Sequence, residues 1–145
     1  MMNSGSNKNR KVLFLCTGNS CRSQVAKGWG RTLAGSRHVF RSAGIEAHGK
    51  NPRAIAAMQE TGVDIDSQES TRLTNGMLAW ADLVVTVCGH ADEHCPALPG
   101  RTRKLHWPLE DFAKAVGSEA NILQVFRASR DDIKRRVQAL LTDLQ

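Results

Sequence analysis

Two continuous apolar runs constrain the fold of this chain more than any other feature. Residues 11–15 and the stretch "DLVVTVC", residues 82–88, both read as strands without alternation of apolar and polar side chains. A sheet with one wet face shows that alternation. Strands that lack it are buried on both faces, as in a parallel sheet covered by helices. The segments between them carry the helices that such a sheet needs. Residues 22–35 place Val25, Ala26, Trp29 and Leu33 on one face, with Gly35 near the end. "NPRAIAAMQETG" offers Asn51 as N-cap, Pro52 at the first helical position and Gly62 as the stop. "RHVFRSAG" reads as a short second strand, residues 74–80 as a short helix, and "RKLHW" as a fourth strand. The tail keeps a 3.6-residue period through Ile122, Phe126, Ile133, Val137, Leu140 and Leu144, as one long helix should. The expected fold is α/β: one domain, a three-layer sandwich, with about four parallel strands and helices on both faces.

In open sheets of this kind, ligands bind beyond the carboxyl ends of the strands. Cys16 and Cys88 both end apolar strands, so two chemically reactive side chains are expected at one edge of the sheet. Composition narrows what they can be doing. The chain has 145 residues, four cysteines and a net charge of +6. Its first ten residues, "MMNSGSNKNR", have no apolar core of a secretory signal and read as a flexible polar tail ahead of a domain over 11–145. No apolar run is long enough to span a bilayer. In a cytoplasmic chain, cysteines serve redox chemistry, catalysis or metal more often than structural disulfides. The basic residues, such as "RTRK" and "KRR", are scattered and carry no aromatic interleaving. That favours a basic surface around a site for a small anion over nucleic-acid binding.

The loop after the first strand, "CTGNSCRS", is built for such an anion. Backbone N–H groups of Thr17, Gly18, Asn19, Ser20, Cys21 and Arg22 can curl around a tetrahedral oxyanion, and the next helix, which begins around Arg22 and Ser23, points its N-terminus the same way. Gly18 permits the tight curve. Arg22 offers a planar two-pronged donor. The same positive field stabilises a thiolate on Cys16. The loop thus prepares a nucleophile and holds its target beside it.

These residues resemble the phosphate loop of the low-molecular-weight protein tyrosine phosphatases, and still more that of the thioredoxin-coupled arsenate reductases, which share that fold. "SAGIEAHGKNP", "DLVVTVC" and "HWPLED" are similar to segments of the second family. The resemblance implies a cytoplasmic, monomeric arsenate reductase without cofactor or metal, with arsenate as substrate and thioredoxin as electron donor. It implies that Cys16 attacks arsenate, that Cys88 attacks Cys16 and releases arsenite, and that Cys95 then takes Cys88 into a second disulfide. It maps the general acid onto Asp111. A phosphatase would have no use for Cys88 and Cys95, which lie in a loop-like polar stretch, "GHADEH" between them. Spectator thiols, or metal ligands with His90 or His94, are the other readings of that pair. Cys21 stands outside the relay, as a packing or loop-shaping residue. A phosphatase with small or aryl phosphates as substrates, and a non-catalytic oxyanion or redox sensor, are the rival functions.

Three positions depart from the family pattern. Phe112 follows Asp111 where the family has proline, which removes a backbone restraint on the acid. Gly100 stands where a second proline is frequent. Lys27 replaces a carboxylate that, in some relatives, helps hold a potassium ion together with residues in the positions of Asn19 and Ser42. Lys27 is therefore expected either to substitute for that ion and steady Asn19, or to be an ordinary helix lysine pointing to water.

Overall fold

The computed structural model describes residues 9–144. Most of the tail assigned to residues 1–10 lies outside the described residues. Four parallel strands, β1 (Lys11–Cys16), β2 (Val39–Gly44), β3 (Leu83–Thr86) and β4 (Arg103–His106), form one sheet in the order β2-β1-β3-β4. Helices α1 (Arg22–Ala34), α2 (Pro52–Gln59), α3 (Asn75–Trp80), α4 (Gly89–Glu93) and α5 (Glu119–Asp143) connect and cover it. Every element expected from the sequence is present within a residue or two of its expected bounds. No helix among the described residues is long and apolar enough to cross a membrane.

The apolar runs do what their composition demands. Val12, Leu13, Phe14 and Leu15 are fully buried, as are Val84, Val85 and Val87. Burying each such side chain stabilises the fold by about 1.5–3 kcal/mol. Phe14 anchors the centre, stacked on Phe40 at 6.1 Å and tilted against Trp107 at 5.7 Å. Side chains cap several helix starts, Asn51 as the sequence suggested. Asn51 accepts from the N–H groups of Arg53 and Ala54, and Thr74 and Ser118 cap α3 and α5 in the same manner. All six residues of the apolar stripe on α5 are buried. Arg130 then ties three elements together: its guanidinium donates to Ala57 O and Glu60 of the α2 region, while its carbonyl accepts from Trp29 Nε1 of α1.

Strand order decides where the site must be. From β1 the chain crosses to β2 on one side, then returns to place β3 on the other. The loops leaving β1 and β3 therefore diverge and open a crevice at the carboxyl edge, the switch point where open α/β sheets bind ligands. Leu15 pairs with Thr86 across that boundary, so Cys16 and Cys88 emerge side by side.

One expectation fails in this region. The stretch between Cys88 and Cys95 is not a loop: Gly89–Glu93 forms α4. The sequence hid it because its apolar content is a single buried alanine, Ala91, too little to produce a periodic signal. Its folding depends on tertiary partners instead. Cys88 Sγ caps it by accepting from Ala91 N–H at 3.3 Å.

Candidate active site

The loop Cys16–Arg22 closes on itself because its outward-facing carbonyls are already occupied. The residues after β2 run alongside it: Ile45 N–H donates to Cys16 O, Glu46 N–H to Thr17 O and His48 N–H to Gly18 O, at 2.8–3.0 Å. Gly44 makes that approach possible, since a Cβ there would sit 2.1 Å from Glu46 O and 2.8 Å from both Asn19 N and Thr17 O. With the carbonyls held outward, the N–H groups of Gly18, Ser20 and Cys21 have no acceptor among the described residues. They line a cleft of about 560 Å³ that also receives Cys16, Arg22, His48, Cys88, His90, Asp111 and Lys114. A larger hollow of about 740 Å³ beside Arg31 and His38 contains no cysteine, so chemistry rather than size picks out the site.

Cys16 sits at the floor, 3% exposed. Its sulfur accepts from Asn19 N–H at 3.1 Å and lies 2.8 Å from the Ser23 hydroxyl. Both groups can donate to this sulfur when it is ionised. The N-terminus of α1 adds to them, since Cys21, its N-cap, supplies no side-chain cap and leaves the helix N–H groups to the cleft. Cys21 itself is no second nucleophile. Burial first, then the nearby charges of Asp111 and Cys16, push its thiol far above the ordinary range.

Asn19 is the only non-glycine with positive φ among the described residues, at +50°. That left-handed turn aims its N–H at Cys16, and a buried amide network holds it there. Gln24 Nε2 donates to Asn19 O at 3.0 Å, to Asn19 Oδ1, and to Glu69 O at 2.8 Å. Gln24 Oε1 accepts from Gln68 Nε2 at 2.8 Å, and Ser42 Oγ reaches Asn19 Oδ1 at 3.3 Å. Lys27 is not part of this network, contrary to the expectation that it would steady Asn19. It is half-buried, its charged neighbours are Arg31 and Arg41, and burial followed by those two charges lowers its ammonium pKa. Gln24 went unnoticed in the sequence because a glutamine early in a helix ordinarily faces water. Replacing Gln24 by alanine should leave Asn19 Oδ1 short of a buried donor and destabilise the fold by about 1–3 kcal/mol. In the natural sequence the melting temperature should be equal in potassium and sodium salts at one ionic strength. A rise specific to potassium would mean that a cation, not Gln24, secures the loop.

The acid side of the cleft is held by packing. Arg22, on the first turn of α1, donates to Leu109 O at 3.0 Å and lies 3.8 Å from Asp111 Oδ2. Asp111 Oδ1 accepts from Ala113 N–H and caps a 3-10 turn over Phe112–Lys114. Phe112, the departure from the family's proline, supplies the restraint that the proline would have given. It is buried edge-on against Phe126 of α5 with ring centroids 5.1 Å apart, which fixes the turn.

Cys88 lies within the same cleft, 4% exposed, with Thr17 Oγ1 3.2 Å from its sulfur. Cys95 is half-buried, beyond the far end of α4 and outside the cleft lining. All four cysteines are free thiols. His90 and His94 stack on each other at 4.2 Å, and among the described residues no group of three or more His, Cys, Asp or Glu is arranged to hold a metal ion. The sequence placed Cys16, Cys88, Arg22 and Asp111 in one site and the structure brings them together. It missed Gln24, Gln68 and His48, whose ring packs over Gly18.

Comparison with known proteins follows the same lines. The family model described as low molecular weight phosphotyrosine protein phosphatase matches residues 11–145. An arsenate reductase of Halalkalibacterium halodurans is 51% identical over 90% of this chain and 94% of that protein. A solved arsenate reductase in the oxidised state is 31% identical, with a TM-score of 0.78 over 94% of this chain and 99% of the other. A thioredoxin-dependent arsenate reductase of Corynebacterium glutamicum is 28% identical, with a TM-score of 0.75 over 95% of this chain and 63% of that one. The chain belongs to the low molecular weight phosphotyrosine protein phosphatase family, on its arsenate reductase branch.

Proposed function

We infer that this protein reduces arsenate to arsenite through Cys16, Cys88 and Cys95, acting as a cytoplasmic monomer with thioredoxin as electron donor. One observation carries the reading: a second thiol, Cys88, lies in the oxyanion cleft and within 3.2 Å of a loop hydroxyl. Phosphoryl transfer through Cys16 would leave that thiol idle, whereas reduction requires it.

The chemistry follows from the geometry. Arsenate enters the cradle of loop N–H groups and the Arg22 guanidinium, both aimed at charge on its oxygens. The Cys16 thiolate attacks arsenic, and Asp111, in its protonated form, gives a proton to the departing oxygen so that water leaves. The Cys88 thiolate then attacks Cys16 Sγ. The sulfur–arsenic bond breaks, its electron pair stays on arsenic as arsenite, and a Cys16–Cys88 disulfide remains. Cys95 attacks Cys88 in turn, forming Cys88–Cys95 and freeing the Cys16 thiolate. A thioredoxin dithiol, with its potential of about −270 mV, reduces the second disulfide.

A weak phosphatase activity is supported by the same loop and acid. The rest of the cleft argues against aryl phosphates as the main substrates: His48, His90 and Lys114 line it, and among the described residues no Phe or Trp ring is in its walls to stack on an aryl group. The deciding experiment measures arsenite production with arsenate, thioredoxin, thioredoxin reductase and NADPH, beside a parallel reaction with glutathione and glutaredoxin. Sustained arsenite release in the first is expected. Hydrolysis of phosphate esters with no arsenite in either would overturn the reading.

A further inference from the structure

The thiol relay proposed above needs α4 to come apart, and the structure shows what holds it together. Cys88 caps the N-terminal end of α4 and Cys95 follows its C-cap, His94. Gly89–Glu93 alone rises about 6 Å along the helix axis, and Cys88 and Cys95 lie further out, one residue before it and two after. A disulfide needs Cα atoms about 4.4–6.8 Å apart, so Cys88 and Cys95 cannot join while α4 is folded. A helix of five residues has little stability of its own. Its endurance rests on contacts outside it: Ala91 is buried, and the polar ties to the neighbouring strands converge on one side chain.

Asp92 is that side chain. Its Oδ1 is 2.7 Å from Lys104 Nζ of β4 and accepts from Thr86 Oγ1 of β3 at 3.2 Å. His106 Nδ1 stands 4.0 Å from Oδ1 and 2.8 Å from the Thr86 hydroxyl. Lys104 Nζ also donates to the Asp92 carbonyl at 3.3 Å. Thr86 is fully buried, the one polar residue inside an otherwise apolar strand, and its hydroxyl meets Asp92, His106 Nδ1 and Leu105 O. We propose that Asp92 is the latch of the relay: its ties to Thr86, Lys104 and His106 keep α4 folded and Cys88 seated in the cleft, and their release sets the rate at which Cys88 passes to Cys95. In that step Cys95 attacks Cys88, the Cys88–Cys95 bond forms, the Cys16–Cys88 bond breaks, and the electron pair leaves on Cys16. Asp92 touches neither substrate nor sulfur, so it is a positioning residue.

The test avoids any dependence on arsenate. In a Cys16→Ser background, closure of the Cys88–Cys95 disulfide is driven by oxidised glutathione: one thiol forms the mixed disulfide and the other displaces glutathione. Ring closure is followed by acid quench, alkylation and mass spectrometry. Asp92→Asn and Lys104→Met are added singly and together. Each should close the ring about five- to tenfold faster, and the double variant little faster than either alone. The pair also separates a mechanical latch from an effect on thiol acidity. Burial raises the Cys95 thiol pKa, Lys104 lowers it and Asp92 raises it further. Acidity would therefore drive the two variants in opposite directions, whereas a latch drives them in the same one. Phosphate should raise the melting temperature of every variant equally, showing an intact loop. Opposite shifts, or no shift in either variant, would overturn the latch. Absence of arsenite production in the natural protein would instead overturn the arsenate reading and leave this result standing.

Discussion

Cys16→Ser is expected to lose arsenate reduction and any phosphate-ester hydrolysis by at least ~10³-fold, while still binding oxyanions. The sulfur receives Asn19 N–H and stands against the Ser23 hydroxyl at the floor of the cleft. Those donors can hold a thiolate because a thiol ionises readily. They cannot make an alkoxide from an alcohol, so the nucleophile disappears although the serine fits. The cradle itself is made of backbone N–H groups and Arg22, none of which depends on sulfur. Phosphate and arsenate should therefore raise the melting temperature of the variant as they do that of the natural protein. Loss of turnover together with retained anion-dependent stabilisation is the expected pair of results. Appreciable arsenite from the variant would remove Cys16 from the nucleophile role.

Cys88→Ser and Cys95→Ser should stop the cycle at two different points. Cys88 shares the cleft with Cys16, whereas Cys95 lies beyond α4. Without Cys88 the only other thiol in the cleft is Cys21, which burial keeps from ionising, so arsenite release should fall to background. Without Cys95 the first disulfide can still form. A single equivalent of arsenite should then appear, followed by arrest with Cys16 joined to Cys88. Alkylation of the remaining thiols and peptide mass spectrometry distinguish the two states. In the Cys95 variant Cys16 and Cys88 should resist alkylation, and in the Cys88 variant no disulfide between relay cysteines should appear. Steady thioredoxin-driven turnover without Cys95 would mean that the reductant reaches the Cys16–Cys88 bond directly, and that α4 need not open.

The sequence carried much of this because its strongest signals are physically unambiguous. An apolar strand with no alternation has only one home, inside a parallel sheet, and its carboxyl end then has only one use. The run from Val12 through Arg22 therefore announced both the sheet and the anion loop. The long stripe on α5 was as clear, since a 25-residue helix repeats its period many times. Signals weakened where an element's stability comes from elsewhere. α4 has one buried residue and was read as loop; its fold depends on Asp92 meeting Thr86 and Lys104 from strands that the chain reaches separately. The two glutamines of the network behind Asn19 were invisible for the same reason, although Ser42 had been placed beside Asn19. Gln24, Ser42 and Gln68 come from three distant segments, and nothing local tells a buried glutamine from a solvated one.

What the sequence determined by itself was which candidate groups stand together at one edge of the sheet. Cys16, Arg22 and Cys88 follow directly from strand ends and a helix start, and local chain geometry orders them. What only the tertiary structure decided was how those groups are held and separated. Asn19 is turned toward Cys16 by Gln24, Asp111 is fixed by Phe112 against Phe126 rather than by a proline, and Cys95 is kept from Cys88 by a helix latched across two strands. The division has a physical cause. Covalent order and periodicity act over a few residues and are written along the chain. Hydrogen bonds and ion pairs between segments tens of residues apart exist only once the sheet has brought them within about 3 Å.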